Sequence, residues 1–550
     1  MHPPLSVRCA LACAAHLLLV GPALAQERPP APRGYESGID ALDYDVHLDL
    51  PDTGSFLRGE VIVTVRRSAS TPTLRLDLVD AMTVREVTVD GRAVGVTRAE
   101  NRIDIPLPAA SADTIRVRVR YDGTVTDGLI VQRDTHGRWT WFGDNWPNRA
   151  HYWLPSVDHP SDKATVSFTV RAGSNRTVVA NGAPLGVRLL TGADSGRSET
   201  RWRESRPIPV YLMVIGAAPL VRTDLPAPAC TRDAVHSCAE QMVYTTPEAR
   251  GWMPGPFASA GAIVAWMEET VGPFPYEKLA HVQSATRFGG MENASAIFYA
   301  DHLFVDRRLE VGLIAHETAH QWFGDAVTER QWSDLWLSEG FATYFAALWT
   351  RHARGDAAFG RELAAMREKI MLDSVVATRP VLDTAQTNYV ALLNANSYEK
   401  GGYTLHMLHQ EIGDSAFHAG IRAYYAKYRD GNATTDDLRH ELETASGRPL
   451  EPFFDQWLRR PGVAALTVGW AHDPETGALS LLVLQPGPRL PYAMRLTVAV
   501  TGRTGETRRL DVRLPADHRA TIVLPGFFRD KPTRVVVDPD AVLLARIITL

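Results

Sequence analysis

His316-Glu317-Thr318-Ala319-His320 lies within Leu309 to Phe323, a stretch whose apolar residues recur with the period of a helix. A spacing of four places both imidazoles on one face, one turn apart. Neutral imidazole nitrogens so placed can both reach one Zn2+ at about 2.0–2.1 Å. Glu317 sits between them in sequence, where it can take a proton from a water. Two nitrogens leave zinc under-coordinated, so a third ligand is needed. Nineteen positions after His320 stands Glu339, in Leu337-Ser338-Glu339-Gly340-Phe341-Ala342, at the start of the next helical stretch. Two antiparallel helices joined by a short loop can bring it back beside the imidazoles. A lone glutamate at a helix start is otherwise a solvated carboxylate favoured by the dipole. The apolar flanks of Glu339 argue against a freely solvated face. The reading is one Zn2+ per chain on His316, His320 and Glu339, with Glu317 as general base.

Outward from this centre the hydrophobic period changes twice. From about residue 40 to 225 it is two, as in Tyr44 to Leu50, Glu60 to Val65, Thr114 to Tyr121 and Thr165 to Val170. Turn pairs such as Asp90-Gly91 and Asp122-Gly123 punctuate these runs. Helical periods follow: Ala258 to Glu269, Leu309 to Phe323, Leu337 to Arg351, Ala358 to Asp373, Tyr403 to Ile412, Phe417 to Tyr428, Thr435 to Ser446 and Leu450 to Leu458. Pro461-Gly462 ends them, and strand-like runs return at Leu479, Met494, Arg508 and Arg534. The predicted divisions are a β domain over 37–225, a mainly helical catalytic domain over 226–462 and a small β domain over 463–550. At ~150 residues per domain, 550 residues accommodate this number.

A composition of 45% hydrophobic and 22% charged residues is that of a globular chain. A net charge of −5, with no basic cluster interleaved with aromatics, argues against nucleic acid as a partner. Arg8, the apolar run Cys9 to Val20 and Ala23-Leu24-Ala25 have the order of a secretory signal peptide cut after Ala25. The run is short for a membrane span, and no later stretch reaches that length. Residues 26–36 read as a flexible leader. The expected location is therefore periplasmic or extracellular, with no transmembrane segment after cleavage. Two cysteines remain after cleavage, Cys230 and Cys238, and export predicts a disulfide between them.

Three more motifs flank the centre in order. Gly289-Gly290-Met291-Glu292-Asn293 precedes it and Tyr398-Glu399-Lys400-Gly401 follows. Phe453-Phe454-Asp455-Gln456-Trp457 with Arg460-Pro461-Gly462 ends the helical stretch. With His316, Glu317, His320 and Glu339 they resemble the aminopeptidase N and leukotriene hydrolase family of zinc metallopeptidases, the gluzincin aminopeptidases. The resemblance covers roughly residues 40 to 550. It implies a multidomain α+β fold: an N-terminal β saddle domain, a mainly helical thermolysin-like catalytic domain and a small C-terminal β-sandwich. Many members end in a helical domain covering the site. Because the sequence stops at Leu550, no C-terminal helical cover domain is expected, and the cleft should be more open.

The resemblance also implies roles. Tyr398 would stabilise an oxyanion. Glu292 would pair with the free α-ammonium of a peptide substrate. Gly289 and Gly290 would leave room for the substrate backbone, with Met291 and Asn293 in the same substrate-binding segment. A second amine anchor is expected from Trp141 to Arg149. Trp146 falls at its position, so Asp144, or Asn145, is the candidate replacement, and Phe288 is a candidate pocket floor. Asp325 and Asp334 are candidate partners of the imidazoles. The expected activity is zinc-dependent removal of N-terminal residues from peptides. A thermolysin-like endopeptidase with an open cleft is the alternative enzyme reading, and a catalytically inactive interaction scaffold is the non-enzyme one.

Overall fold

The computed structural model describes residues 38–68, 71–108, 113–226, 238–253 and 255–550. The predicted signal peptide and leader lie outside the described residues, as does Cys230 and hence the Cys230–Cys238 bridge. The period-two pattern around Tyr44 forms the strand Ile39–Asp49, with Tyr44, Val46 and Leu48 buried. Its alternation puts one face of an eight-stranded sheet into the core. The sheet runs in the order Ala183–Leu189, Arg197–Pro209, Lys163–Gly173, Ile39–Asp49, Phe56–Arg67, Thr114–Thr124, Thr83–Val89, Arg92–Ala93. Ile39–Asp49 and Lys163–Gly173 pair in parallel; the other neighbours are antiparallel. A separate four-stranded sheet orders Thr177–Ala180, Ile215–Ala218, Trp139–Gly143 and Leu129–Arg133.

The segment after 225 is less helical than its period suggests. It contributes to a five-stranded sheet in the order Val221–Asp224, Glu240–Thr245, Lys278–Ser284, Ala296–Ala300, Gly290–Met291. The three inner strands are parallel, and Gly290–Met291 forms an antiparallel edge. Every residue of Lys278–Ser284 is buried, so it carries no alternation to read. Helices α1 (Ala260–Thr270) and α2 (Val311–His320) accompany this sheet.

By packing, the chain forms two compact units. The first holds residues up to Ser338 with Thr387–Val390 and Tyr424–Thr434. The second holds Glu339–Gln386, Ala391–Ala423 and Thr435–Leu550. The boundary falls inside helix α3 (Trp336–Arg354), between Ser338 and Glu339. The second unit continues with α4 (Asp356–Leu372), α5 (Gly401–Ile412) and most of α6 (Asp414–Tyr428). Its C-terminal part forms a four-stranded and a three-stranded sheet. No helix among the described residues is long and apolar enough to cross a membrane.

Two packing features have measurable consequences. His281, buried on Lys278–Ser284, has Nδ1 3.0 Å from the Tyr299 hydroxyl. Burial, helped by the charge of Lys278, pushes its pKa down to about 3. An unfolded His titrates near ~6.5, so between the two values the unfolded chain binds the extra proton. Stability should therefore fall as pH drops below ~6.5, by up to about 1.4 kcal/mol per pH unit. Denaturant unfolding of wild type and His281→Phe from pH 7 to 5 should show their stability difference shifting against the wild type on acidification. A pH-independent difference would contradict this. In the second unit, a Cβ on Gly340 of α3 would fall 2.9 Å from the Gly401 carbonyl carbon and 3.0 Å from its Cα. Gly340→Ala should cost about 1–3 kcal/mol in urea unfolding. Gly360→Ala on α4, where a Cβ meets nothing within 4 Å, should be neutral or stabilising by up to about 1 kcal/mol.

Candidate active site

Helix α2 buries Leu313, Ile314, Ala315 and Ala319 and carries His316, Glu317 and His320. The imidazoles meet edge to face, ring centroids 4.7 Å apart, with Nε2 of His316 3.1 Å from Nε2 of His320. His320 Nδ1 lies 3.0 Å from Ser338 Oγ and 3.2 Å from the Phe323 carbonyl. A proton on Nδ1, donated to these oxygens, leaves the Nε2 lone pair for a ligand. Two nitrogens on a tetrahedral Zn2+ at about 2.05 Å would stand about 3.3 Å apart, so the pair fits that ion with little movement. After the helix the chain turns at Gly324, φ +116°. A side chain there would overlap the Ser338 hydroxyl and crowd His320, so glycine is required by both space and backbone.

The edge strand Gly290–Met291 passes against Glu317. A Cβ on Gly290 would overlap the Glu317 carboxylate, whereas one on Gly289 would meet nothing within 4 Å. One oxygen each from Glu292 and Glu317 and one nitrogen of His320 lie within 4.8 Å of one another. Gln321, which follows His320, joins helix to strand. Its Nε2 donates to the Glu292 carbonyl at 2.8 Å and to Asp325 Oδ2 at 2.8 Å, and its Oε1 accepts from Ser295 N at 2.8 Å. Burial, with the nearby charge of Glu292, holds the Asp325 carboxyl well above the usual range. Met291 is buried, and Asn293 is fully buried with no hydrogen bond to its side-chain amide among the described residues.

The β domain holds the other side of this loop. Asn181 Nδ2 donates to the carbonyls of Ala294 (2.7 Å) and Leu212 (2.8 Å). Gly182 N donates to Ser295 Oγ at 2.7 Å, and Ser295 Oγ donates to Glu204 Oε2 at 3.0 Å. Buried Lys278 donates to the carbonyls of Ser295 (2.6 Å) and Ala180 (3.1 Å). Gln321, Ser338, Asn181 and Lys278 were not singled out from the sequence. The one available signal was their place beside a motif residue or amid apolar neighbours.

In the second unit, Glu339 on the first turn of α3 accepts from the Tyr398 hydroxyl at 2.7 Å. Tyr398 sits on a π-helical turn, Asn396–Lys400, leading into α5. Asn396 Nδ2 anchors that turn on the carbonyls of Arg379 (3.0 Å) and Pro380 (3.2 Å). Lys369 pairs with Glu399 at 2.5 Å, and Lys400 donates to the Arg460 carbonyl at 3.2 Å. Burial pushes the Lys400 pKa down to about 7. Glu399 and Lys400 thus hold the backbone that presents Tyr398.

The segment expected to supply a second amine anchor has its polar side chains engaged internally. Asp144 is fully buried, its Oδ2 2.7 Å from Arg149 and its Oδ1 accepting from Thr286 at 3.0 Å. Asn145 is equally committed, donating to the Met213 carbonyl at 2.7 Å and accepting from Trp153 Nε1 at 2.8 Å. Trp146 packs edge to face on Phe288 at 5.9 Å and Trp332 at 5.5 Å. Trp332 also meets Tyr211 at 5.2 Å and Tyr389 at 5.8 Å. This segment reads as aromatic packing around buried polar pairs.

Comparison with known proteins places the chain. The Peptidase family M1 domain matches residues 257–457, and the Peptidase M1 N-terminal domain matches 40–212. The chain is similar to a Probable aminopeptidase 1 of Sulfurisphaera tokodaii, 24% identical over 91% of this chain and 64% of that protein. It is similar to an Aminopeptidase N of Streptomyces lividans, 27% identical over 82% of this chain and 54% of the relative. A Glutamyl aminopeptidase of Rattus norvegicus is 26% identical over 66% of this chain and 40% of its own length. The chain therefore spans about half the length of the curated relatives it matches. In fold it is similar to the crystal structure of a mutant M1 zinc metallopeptidase from Deinococcus radiodurans, with a TM-score of 0.68 and 24% identity over 78% of this chain and 96% of that one. With both M1 domains matched in order, the second spanning the strand Gly290–Met291 and helix α2, this chain belongs to the M1 peptidase family.

Proposed function

We propose that the chain is a zinc-dependent aminopeptidase that hydrolyses N-terminal residues from peptides. The observation that carries this reading is the convergence of Glu292, Glu317 and His320 within 4.8 Å. In a peptide only one Cα separates the terminal amine from the first carbonyl, so the two groups lie about 2.5 Å apart. A carboxylate that pairs with the ammonium, next to a carboxylate that activates water, selects the first peptide bond by distance.

His316, His320 and Glu339 would hold the zinc, in keeping with the paired Nε2 atoms and with Glu339 directly following Ser338, the residue that orients His320. When bound, the ion polarises the scissile carbonyl and eases deprotonation of water. Glu317 takes the proton from the attacking water and returns it to the leaving amine. The edge of Gly290–Met291 offers unpaired backbone groups to an extended substrate. The Tyr398 hydroxyl, held on Glu339 in this state, supplies a hydrogen bond to the developing oxyanion. Export to the periplasm or beyond is part of the proposal and rests on the segment Arg8 to Ala25 alone.

Steady-state kinetics on aminoacyl anilides test this. Glu317→Gln should lower kcat by about 10^3 or more with metal content unchanged, and Tyr398→Phe by about 10^2. An unchanged rate in Glu317→Gln removes it as base. N-acetylated substrates should be cleaved at least about 100-fold more slowly than free ones, because the ammonium–carboxylate pair is lost. Equal cleavage of both favours the endopeptidase reading. Gly290→Ala should reduce kcat/KM by at least about tenfold through displacement of Glu317, while Gly289→Ala should change it less.

A further inference from the structure

The corner between α5 and α6 gathers three ligand-type side chains that the proposed reaction does not use. Gly413, at φ +86°, ends α5 and lets α6 start at once with Asp414. His409 on the last turn of α5 therefore faces Asp414 and His418, which are one turn apart on α6. One ligand atom from each of the three lies within 4.8 Å of the other two. His409 Nε2 is 2.6 Å from Asp414 Oδ1, and its Nδ1 is 2.8 Å from the Tyr344 hydroxyl. Phe417 stacks on the His409 ring at 4.1 Å and fixes its plane. A hydrogen-bonded corner accounts for His409 and Asp414 but not for His418. The His418 ring stands 5.3 Å from that of His409, and its Nδ1 is buried with no hydrogen-bond partner among the described residues.

We propose that His409, Asp414 and His418 form a second metal site, taking a divalent transition ion of the zinc class in addition to the one on α2 and α3. Two imidazoles and one carboxylate suit Zn2+, Co2+ or Ni2+ and not Mg2+ or Ca2+, which prefer all-oxygen sets. Neutral imidazole is the ligating form, and an ordinary histidine is mostly neutral near pH 7. The Asp414 side chain is 78% exposed, so it can open its contact with His409 to admit an ion, and water can complete the coordination. The proton on His409 Nε2 that now faces Asp414 then moves to Nδ1, where the Tyr344 hydroxyl turns to accept it. The cations Arg351 and Arg422 oppose binding, but Arg351 is already paired with Asp356 at 2.7 Å.

The test is metal stoichiometry of the full chain after chelator treatment and dialysis against micromolar free Zn2+, repeated with Co2+ to read its absorption. Wild type should bind two ions. His418→Ala should bind one, and Asp414→Asn should bind the second ion at least tenfold more weakly; both lie on the accessible side of the corner and spare the buried His409. A His316→Ala/His320→Ala variant should keep one ion and lose it when His418→Ala is added. An ion lost entirely in His316→Ala/His320→Ala, or a second ion retained at full affinity in both His418→Ala and Asp414→Asn, overturns the site. Because the two ligand sets are removed separately, failure here is distinguishable from failure of the α2 centre.

Discussion

A carboxylate and a strand backbone share one narrow space in this protein. Glu317 projects from α2 onto the edge strand at Gly290, where an added Cβ would overlap its carboxylate. That approach sets the carboxylate directly against the substrate-side edge strand, beside the other site residues. The imidazoles one residue before and three residues after Glu317 take their places on the same helix. Glu292, two residues beyond Gly290, is brought close to Glu317 and His320. The glycine matters because its absent side chain leaves room for a neighbour's charge.

Such an approach must be held against the tendency of a buried carboxylate to seek water. The holding is done by polar groups whose partners are mostly backbone. Gln321 uses both ends of its amide to bind the chain at Glu292 and Ser295, and it also reaches Asp325. Asn181 and Gly182 of the β domain, and Lys278 of the five-stranded sheet, reach the same few residues. Burial pushes Lys278 down to about 7 and raises the buried Glu204 beside it, so both charges are costly and are kept by the hydrogen bonds they make. Removing one partner would leave the other buried and unmatched, which makes the network specific to this one arrangement.

How much of this was legible follows from what each element needs. The helices carrying His316, Glu317, His320 and Glu339 showed themselves because each keeps one apolar face, and their observed bounds lie within about three residues of the period. Strands of the β domain showed themselves by alternation. Lys278–Ser284 and Ala296–Ala300 did not, because residues buried on both faces leave no period. The motifs located the chemistry but not its supports. Ser338 and Gln321 act only after folding brings distant backbone to them, and their neighbours in sequence say nothing of that. The compact-unit boundary inside α3 was likewise invisible, since a helix has the same period on both sides of it.

Asp144 is engaged by its own neighbours. A carboxylate in the right segment had the right charge for an ammonium, yet its charge is matched internally by Arg149, and Thr286 occupies its other oxygen. A fully buried carboxylate paired with a guanidinium has little left to offer a ligand, because separating the pair would leave Arg149 uncompensated. Trp146 beside it contributes a ring packed between Phe288 and Trp332. Under the proposed function, recognition of a peptide's amine therefore falls on Glu292.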